Sequence, residues 1–439
     1  MKLKRALIFI ALLVQAITVR PAQANLRYIV LDLGTLPGGT ASGGYGINSS
    51  GQVTGYSSTT NSQPGFPGFF GNHAFLYSGG SMSDLGVLVG ADSFGGANSS
   101  GSGINNSGQV TGYAMLPNGS ATHAFLYSSG SMNDIHTLGD PNQEGLQGGP
   151  GSHGYGINDS GQVAGYSSIS NYSSASHAFL YSGGGMSDLG TLPGGALSYG
   201  YGINNSGQVT GESAVNAGAT IYHAFLYSGG SMRDIGTLGG TSSHAYAINN
   251  AGQVTGNSDY LGIGQHTFLY AINTGMMDLG TLGGFTSRGN GINNSGQVVG
   301  NSYITGNSAV HAFLYSGGAM YDLNNIALTG QMADFSYLQI AQGINDHGLI
   351  TGYGITTNGA TRAFLAIPFQ ISTLTRLANG QIHLQCQGVP NVINRIEVSS
   401  NLSQNSFSTL TSLSADATGA FHYDYVDAAT MRFYRIAYP

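Results

Sequence analysis

The sequence predicts an all-β fold, a seven-bladed β-propeller closed by its N-terminal strand and followed by a small C-terminal β-sandwich. Three observations carry that prediction. One motif recurs seven times, each copy holds up to four short candidate strands, and the strand missing from the last copy stands ahead of the first. Composition agrees. The chain of 439 residues has 72 Gly and only 7% charged residues, too little Glu, Lys and Arg for a helical fold. Its 26 Tyr and 18 Phe supply core material, and a net charge of −7 opposes collapse only weakly, so the Gly content does not make the chain disordered.

Taken in order, residues 1–24 read as a signal peptide. Lys2, Lys4 and Arg5 precede the apolar run Ala6 to Val14, and Ala22-Gln23-Ala24 forms a small-x-small cleavage site. No later stretch reaches the roughly 18 apolar residues of a membrane span, so the expectation is a secreted protein, extracellular or at the cell surface, with no transmembrane segment after cleavage. Beyond residue 24 there is no Lys, and only Arg27, Arg233 and Arg288 lie before residue 360. Phosphate neutralisation needs clustered cations, which excludes nucleic acid as a partner. Cys386 is the lone cysteine and reads as a buried strand residue without a disulfide.

Residues 25–368 carry the repeat. Gly-Ile-Asn or Ala-Ile-Asn recurs around Ile47, Ile104, Ile157, Ile203, Ile248, Ile292 and Ile344. The spacings run from 44 to 57 residues, at or above the length of a four-stranded blade. A second motif follows each triplet, His-Ala-Phe-Leu-Tyr at His73, His123, His177, His223 and His311, with variants at His266 and Arg362. A third reads Met-x-Asp-Leu/Ile, its Asp at Asp84, Asp134, Asp188, Asp234, Asp278 and Asp322. In the fourth copy the candidate strands are Tyr199 to Asn204, Gln208 to Glu212, His223 to Ser228 and Ser231 to Leu238, parted by Asn-Ser-Gly and Gly-Gly turns. The seventh copy lacks the Asp-Leu-Gly strand, and Tyr28 to Leu36 is an orphan copy of it. An N-terminal strand completing the last blade removes the sheet edge between first and last repeats; an open solenoid gains nothing from the offset.

These motifs resemble the extracellular HAF-repeat family, named for the His-Ala-Phe run. The resemblance implies a secreted bacterial protein of blade-like repeats and brings no catalytic residues with it.

Residues 369–439 form the C-terminal module. Gln381 to Gln387, Ile393 to Ser399, Ser408 to Ser414, Ala420 to Tyr425 and Phe433 to Ala437 alternate apolar and polar residues, the pattern of a small β-sandwich.

The repeated His and Asp invite a metal reading. Copies one blade apart cannot share an ion across a ring some tens of ångströms wide, so they are read as structural, with the Asp satisfying turn donors. Calcium is the one cofactor the Asn-rich turns raise, but only Asp159 and Asp346 put a carboxylate there, and turn geometry alone explains Asn and Gly. No cofactor or metal site is assigned. Outside the consensus stand Asp92, Asp140, Glu144, Asp159, Glu212, Asp259, Asp334 and Asp346, with His136, His153, His244 and His347, in no nucleophile pattern.

Variation points to binding instead. The turns after strands one and three keep their length, while the loops after strands two and four vary and share the opposite face of a propeller. The longest contribute Phe66, Phe69, Phe70, Asp92, Phe94, Asp140 and Glu144 as candidate ligand-binding residues. Aromatics beside acids suit a polysaccharide or a protein partner. The expected function is non-enzymatic binding; the alternatives are a propeller carbohydrate hydrolase or a purely structural, adhesive surface protein.

Overall fold

The computed structural model describes residues 27–60, 70–88, 98–116, 121–139, 151–169, 175–327, 334–368, 370–377, 381–387, 393–399, 408–414, 416, 420–426 and 433–437. The signal-peptide segment lies outside them. The fold is all-β and built of four-stranded antiparallel sheets. Among the described residues no helix is long and apolar enough to cross a membrane.

The fourth repeat shows the unit. Strands Ser198–Ile203, Val209–Ala214, Tyr222–Ser228 and Ser231–Asp234 pair in sequence order. The inner strands of each sheet are buried on both faces while the fourth is largely exposed, which is why His-Ala-Phe-Leu-Tyr reads as a nearly unbroken apolar run. Phe225 packs back onto Ala164, Ala178 and Leu189 of the preceding repeat, while Ala224 packs forward onto Ile248, Val254 and Phe268 of the next. The core is thus a set of apolar wedges between neighbouring sheets, and the Phe of every repeat is fully buried.

One expected boundary is corrected. The fourth strand ends at Asp234 rather than Leu238, because an Asp234 carboxylate oxygen accepts the Gly236 N–H at 2.7 Å and Gly236 turns away at φ +82°. Strand one also holds a bulge in each repeat, at Tyr201 in the fourth, where the register slips between Gly200 and Gly202. The bulge brings the strand-one backbone so close that a Cβ on Gly211 would lie 1.8 Å from the Tyr199 carbonyl oxygen. Every repeat keeps Gly there, which accounts for one glycine per repeat.

The orphan strand sits where the offset requires. Tyr28–Asp32 pairs antiparallel with Thr361–Pro368, Tyr28 opposite Pro368 and Asp32 opposite Phe364, and completes the sheet of strands Phe335–Ile344, Ile350–Thr356 and Thr361–Pro368. That last sheet packs on the first: Leu33, Leu36, Val53, Phe75, Leu349 and Leu365 share one cluster. The fifth and sixth repeats are also joined through a single parallel pair, Gln265 with Thr286.

Polar contacts repeat as regularly. Ser198 Oγ accepts the Ala178 N–H at 2.8 Å and donates to the Gly190 carbonyl at 2.5 Å, tying its repeat to strands three and four of the one before. Ser42 does the same across the junction of first and last sheets, with Ala363 and Gly34.

In the C-terminal module Gln370–Arg376, Gln381–Gln387 and Ala420–Val426 form one three-stranded sheet. Ser408–Ser414, Ile393–Ser399 and Phe433–Ala437 form another. Ile382, Leu384, Cys386 and Phe421 of the first share a cluster with Ile396 of the second. Gln370–Arg376 is a strand beyond those the sequence pattern marks. Cys386 is buried as expected, and burial pushes its thiol up to about 12.

Candidate functional site

Every strand-one Asn closes a link around the axis. The Nδ2 of Asn48 donates to the Asn105 carbonyl, and the same bond runs from Asn105 to Asn158, Asn204, Asn249, Asn293 and Asn345, then back to Asn48. The seven distances are 2.9 to 3.1 Å. In six repeats, all but the last, Nδ2 also reaches a Gln four residues on, and in all seven Oδ1 accepts two turn N–H groups, as Asn204 does from Ser206 and Gln208. The turn oxygens raised as calcium ligands are therefore engaged in holding the turns. Asp159 and Asp346 likewise accept from Asn106 and Asn294 of the preceding repeats.

Inside this collar, the repeat isoleucines line the axis, with cavities of about 180 Å³ on the Asn side and 190 Å³ on the other. Both are smaller than the roughly 300 Å³ at which small-molecule pockets begin. The axis itself therefore has no room for a drug-sized ligand.

The mouth away from the Asn collar lies at the end where the loops after strands two and four emerge. Strand-one bulges aim Tyr45, Tyr155, Tyr201 and Tyr246 there, and Asn290 and Gln342 hold the same place in the sixth and seventh repeats. The residue after each strand-one Ser faces a strand-two partner: His153 opposite Tyr166, Tyr199 opposite Glu212, His244 opposite Asn257 and Arg288 opposite Asn301.

These side chains form a continuous aromatic belt. His153 stacks on Tyr113 at 4.3 Å and on Tyr166 at 5.0 Å, and Tyr166 meets Tyr199 edge-on at 5.0 Å. On the inner circle Tyr155 meets Tyr201 at 5.1 Å and Tyr201 meets Tyr246 at 5.5 Å, and the exposed Arg288 guanidinium lies 3.7 Å over Tyr246. Glu212 sits among them, accepting the Tyr201 hydroxyl at 3.3 Å and hydrogen-bonded to His244 Nδ1. Burial, reinforced by the Glu212 carboxyl, holds the Tyr201 phenol far above its ordinary range, so it acts as a donor and not as a phenolate. Burial lowers His153 to about 4, leaving it neutral at pH 7.

The consensus His and Asp find each other. His73, His123, His177, His223, His266 and His311 each place Nδ1 2.7 to 2.9 Å from the Asp of the next strand in their own repeat. That Asp also caps the turn behind it, as the Asp188 carboxylate does for the Gly190 N–H. Sequence reasoning assigned the Asp to turns and missed its histidine partner. It also left Glu212, His153 and His244 scattered, whereas Glu212 and His244 are joined and all three belong to one belt. The signal was available in register, because Glu212 stands where Tyr56, Tyr113, Tyr166 and Tyr353 stand in other repeats.

Of the loop candidates, Phe66, Phe69, Asp92, Phe94, Asp140 and Glu144 lie outside the described residues. Phe70 begins strand Phe70–Ser78, opposite Thr60. A larger cavity, about 620 Å³, lies between the turns at Gln297 and His347 and the C-terminal strands bearing His383 and His422. Its repeat-side lining comes from the turn side, away from the mouth.

No protein-family model matches the chain, and no curated protein matches it. Solved structures similar to it include TolB from Acinetobacter baumannii, at 13% identity and TM-score 0.39, covering 72% of this chain and 79% of that one. The β-propeller domain of the Trilobed protease from Pyrococcus furiosus is 9% identical, with TM-score 0.45 and coverage of 77% and 93%. The acylaminoacyl peptidase of Pyrococcus horikoshii is 10% identical, with TM-score 0.43 and coverage of 80% and 58%. Likeness at this level says nothing about what the chain binds or does.

Proposed function

We propose that the chain is a secreted, HAF-type seven-bladed β-propeller with a small C-terminal β-sandwich, and that it binds an extracellular polysaccharide through the mouth of its axis without catalysing a reaction. The blade count is supported by the seven-step cycle of Asn bonds, and the sandwich by the cluster its two sheets share. Export is supported by the basic, apolar and small-residue order of residues 1–24.

The aromatic belt from Tyr113 to Tyr246 carries the binding reading. Partly exposed rings offer faces to the C–H surfaces of sugars, and Glu212, His244, Asn290 and Arg288 beside them offer donors and acceptors to hydroxyls. Hydrolysis by the usual two-carboxyl route needs a second carboxyl facing the first across the substrate. Asp259, on the same face, has both oxygens engaged, one by Gln265 and the other by Thr241 and the Ser242 N–H.

A glycan array probed with the wild-type chain, a Tyr166→Ala/Tyr199→Ala variant and a Phe66→Ala/Phe69→Ala/Phe70→Ala variant tests this reading. Glycan binding lost in the Tyr variant supports it. Binding lost only in the Phe variant moves the site to the first long loop. No glycan bound by the wild type, or release of reducing ends from a bound glycan, refutes it.

A further inference from the structure

Five repeats of the chain follow their consensus Asp, two residues on, with a glycine in the left-handed region: Gly34, Gly86, Gly190, Gly236 and Gly280 have φ between +72° and +82°. In the second repeat that residue is His136, at φ +64°. A side chain in this conformation is uncommon and costs on the order of 1 kcal/mol. Here the backbone leads the imidazole back over the carboxylate that already serves the repeat's consensus His.

The outcome is a three-donor cluster. His123 Nδ1 lies 2.9 Å from Asp134 Oδ2, and His136 Nδ1 lies 3.6 Å from the same oxygen. The imidazoles stand edge to face, centroids 6.4 Å apart, and one ligand atom from each of the three residues lies within 4.8 Å of the others. Asp134 Oδ1 stays on the His136 N–H at 2.7 Å and so fixes the carboxylate as a second-shell bond would.

We propose that His123, Asp134 and His136 form a binding site for a divalent transition metal, zinc in the first instance. Tetrahedral bonds of about 2.0–2.1 Å put ligand atoms roughly 3.3 Å apart; the two His–Asp separations, 2.9 and 3.6 Å, lie on either side of that value, and the separation of the two imidazole nitrogens is within 4.8 Å. Two imidazole nitrogens and one carboxylate oxygen suit zinc, nickel or copper; calcium and magnesium prefer all-oxygen shells. The His123 side chain is fully buried while that of His136 is 60% exposed, so the ion is anchored from within and reached from solvent. Among the described residues the other repeats hold the His–Asp pair without a third donor, so one ion per chain is expected. The site adjoins the belt through Thr122, whose hydroxyl lies 3.0 Å from His153 Nε2, but it does not rest on the glycan reading.

Zinc titration of the tag-free full chain, by calorimetry and by cobalt absorption, tests the site. The wild type is expected to bind one ion per chain. His136→Gly restores the residue that five repeats accommodate, so it keeps the fold, and it is expected to weaken binding at least about 100-fold. Gly190→His in the third repeat, where an added Cβ meets open space, is expected to raise the stoichiometry to two. Wild-type affinity in His136→Gly, a stoichiometry that stays at one in Gly190→His, or no binding of zinc, nickel or copper to the wild type overturns the proposal.

Discussion

Asn204 and Asn205 are adjacent, identical in type and both hydrogen-bonded, yet their replacement by alanine should have very different costs. Asn204 is 3% exposed and makes four bonds: to the Asn249 carbonyl at 3.0 Å, to Gln208 Oε1 at 2.8 Å, and from the Ser206 and Gln208 N–H groups at 3.1 and 3.0 Å. At about 1 kcal/mol net per bond the loss is near 4 kcal/mol, and water reaching the part-buried turn recovers some of it. The Asn249 carbonyl is buried and keeps only the Gly252 N–H at 3.0 Å. The expected destabilisation for Asn204→Ala is therefore about 3 kcal/mol. Asn205 is exposed; its side chain accepts the Asp159 N–H at 3.0 Å and donates to Asp159 Oδ2 at 2.8 Å, and water replaces both. Asn205→Ala should cost under about 1 kcal/mol. Urea unfolding at unchanged slope reads both values. Equal losses at the two positions, or a loss below about 1 kcal/mol at Asn204, would refute the view that the axial Asn cycle carries stability.

The other two expectations use the same assay. Gly211→Ala puts a methyl 1.8 Å from the Tyr199 carbonyl oxygen and 2.9 Å from the Phe225 ring, so it should cost about 3 kcal/mol or more, whereas Gly230→Ala, in an open hairpin turn at φ +84°, should cost about 1 kcal/mol. A reversed order would show that the strand-one bulge does not impose the glycine. His153 is depressed from 6.5 to about 4 in the folded chain, so below pH 6.5 the unfolded state binds a proton that the native state refuses, and stability falls as pH drops through that window until both states are protonated near pH 4. His153→Gln should flatten the wild-type stability profile between those limits; an unchanged slope would place the imidazole in water.

The architecture was legible because it is written many times. Seven copies of Ile-Asn and of the Phe strand fix strand order and turn positions, and an offset of one strand between Tyr28 and Pro368 sufficed to predict how the last sheet is completed. Contacts inside a repeat were less legible. Spacing shows that His177 and Asp188 recur together, but only the antiparallel register of strands Ser176–Ser182 and Gly185–Asp188 shows that they meet. The mouth was least legible, because its members come from different repeats. Tyr201, Glu212 and His244 span 44 residues and three strands, and their meeting depends on a bulge that no single-residue pattern marks.

This ordering has a physical cause. Positions that bury the wedges or close the Asn cycle face the same surroundings in every repeat, so one residue type satisfies all seven and the consensus appears. Positions at the mouth face the axis from seven directions around a shared space, where a ring of identical large side chains would collide. Tyr at Tyr45, Tyr155, Tyr201 and Tyr246 accordingly gives way to Ser102, Asn290 and Gln342, and strand-two Tyr gives way to Glu212, Asn257 and Asn301. His136 likewise departs from the glycine that five repeats hold at that position. In a cyclic repeat protein, departures from consensus that converge in space are therefore stronger pointers to chemistry than the consensus itself, and the belt around Glu212 is where most of them converge.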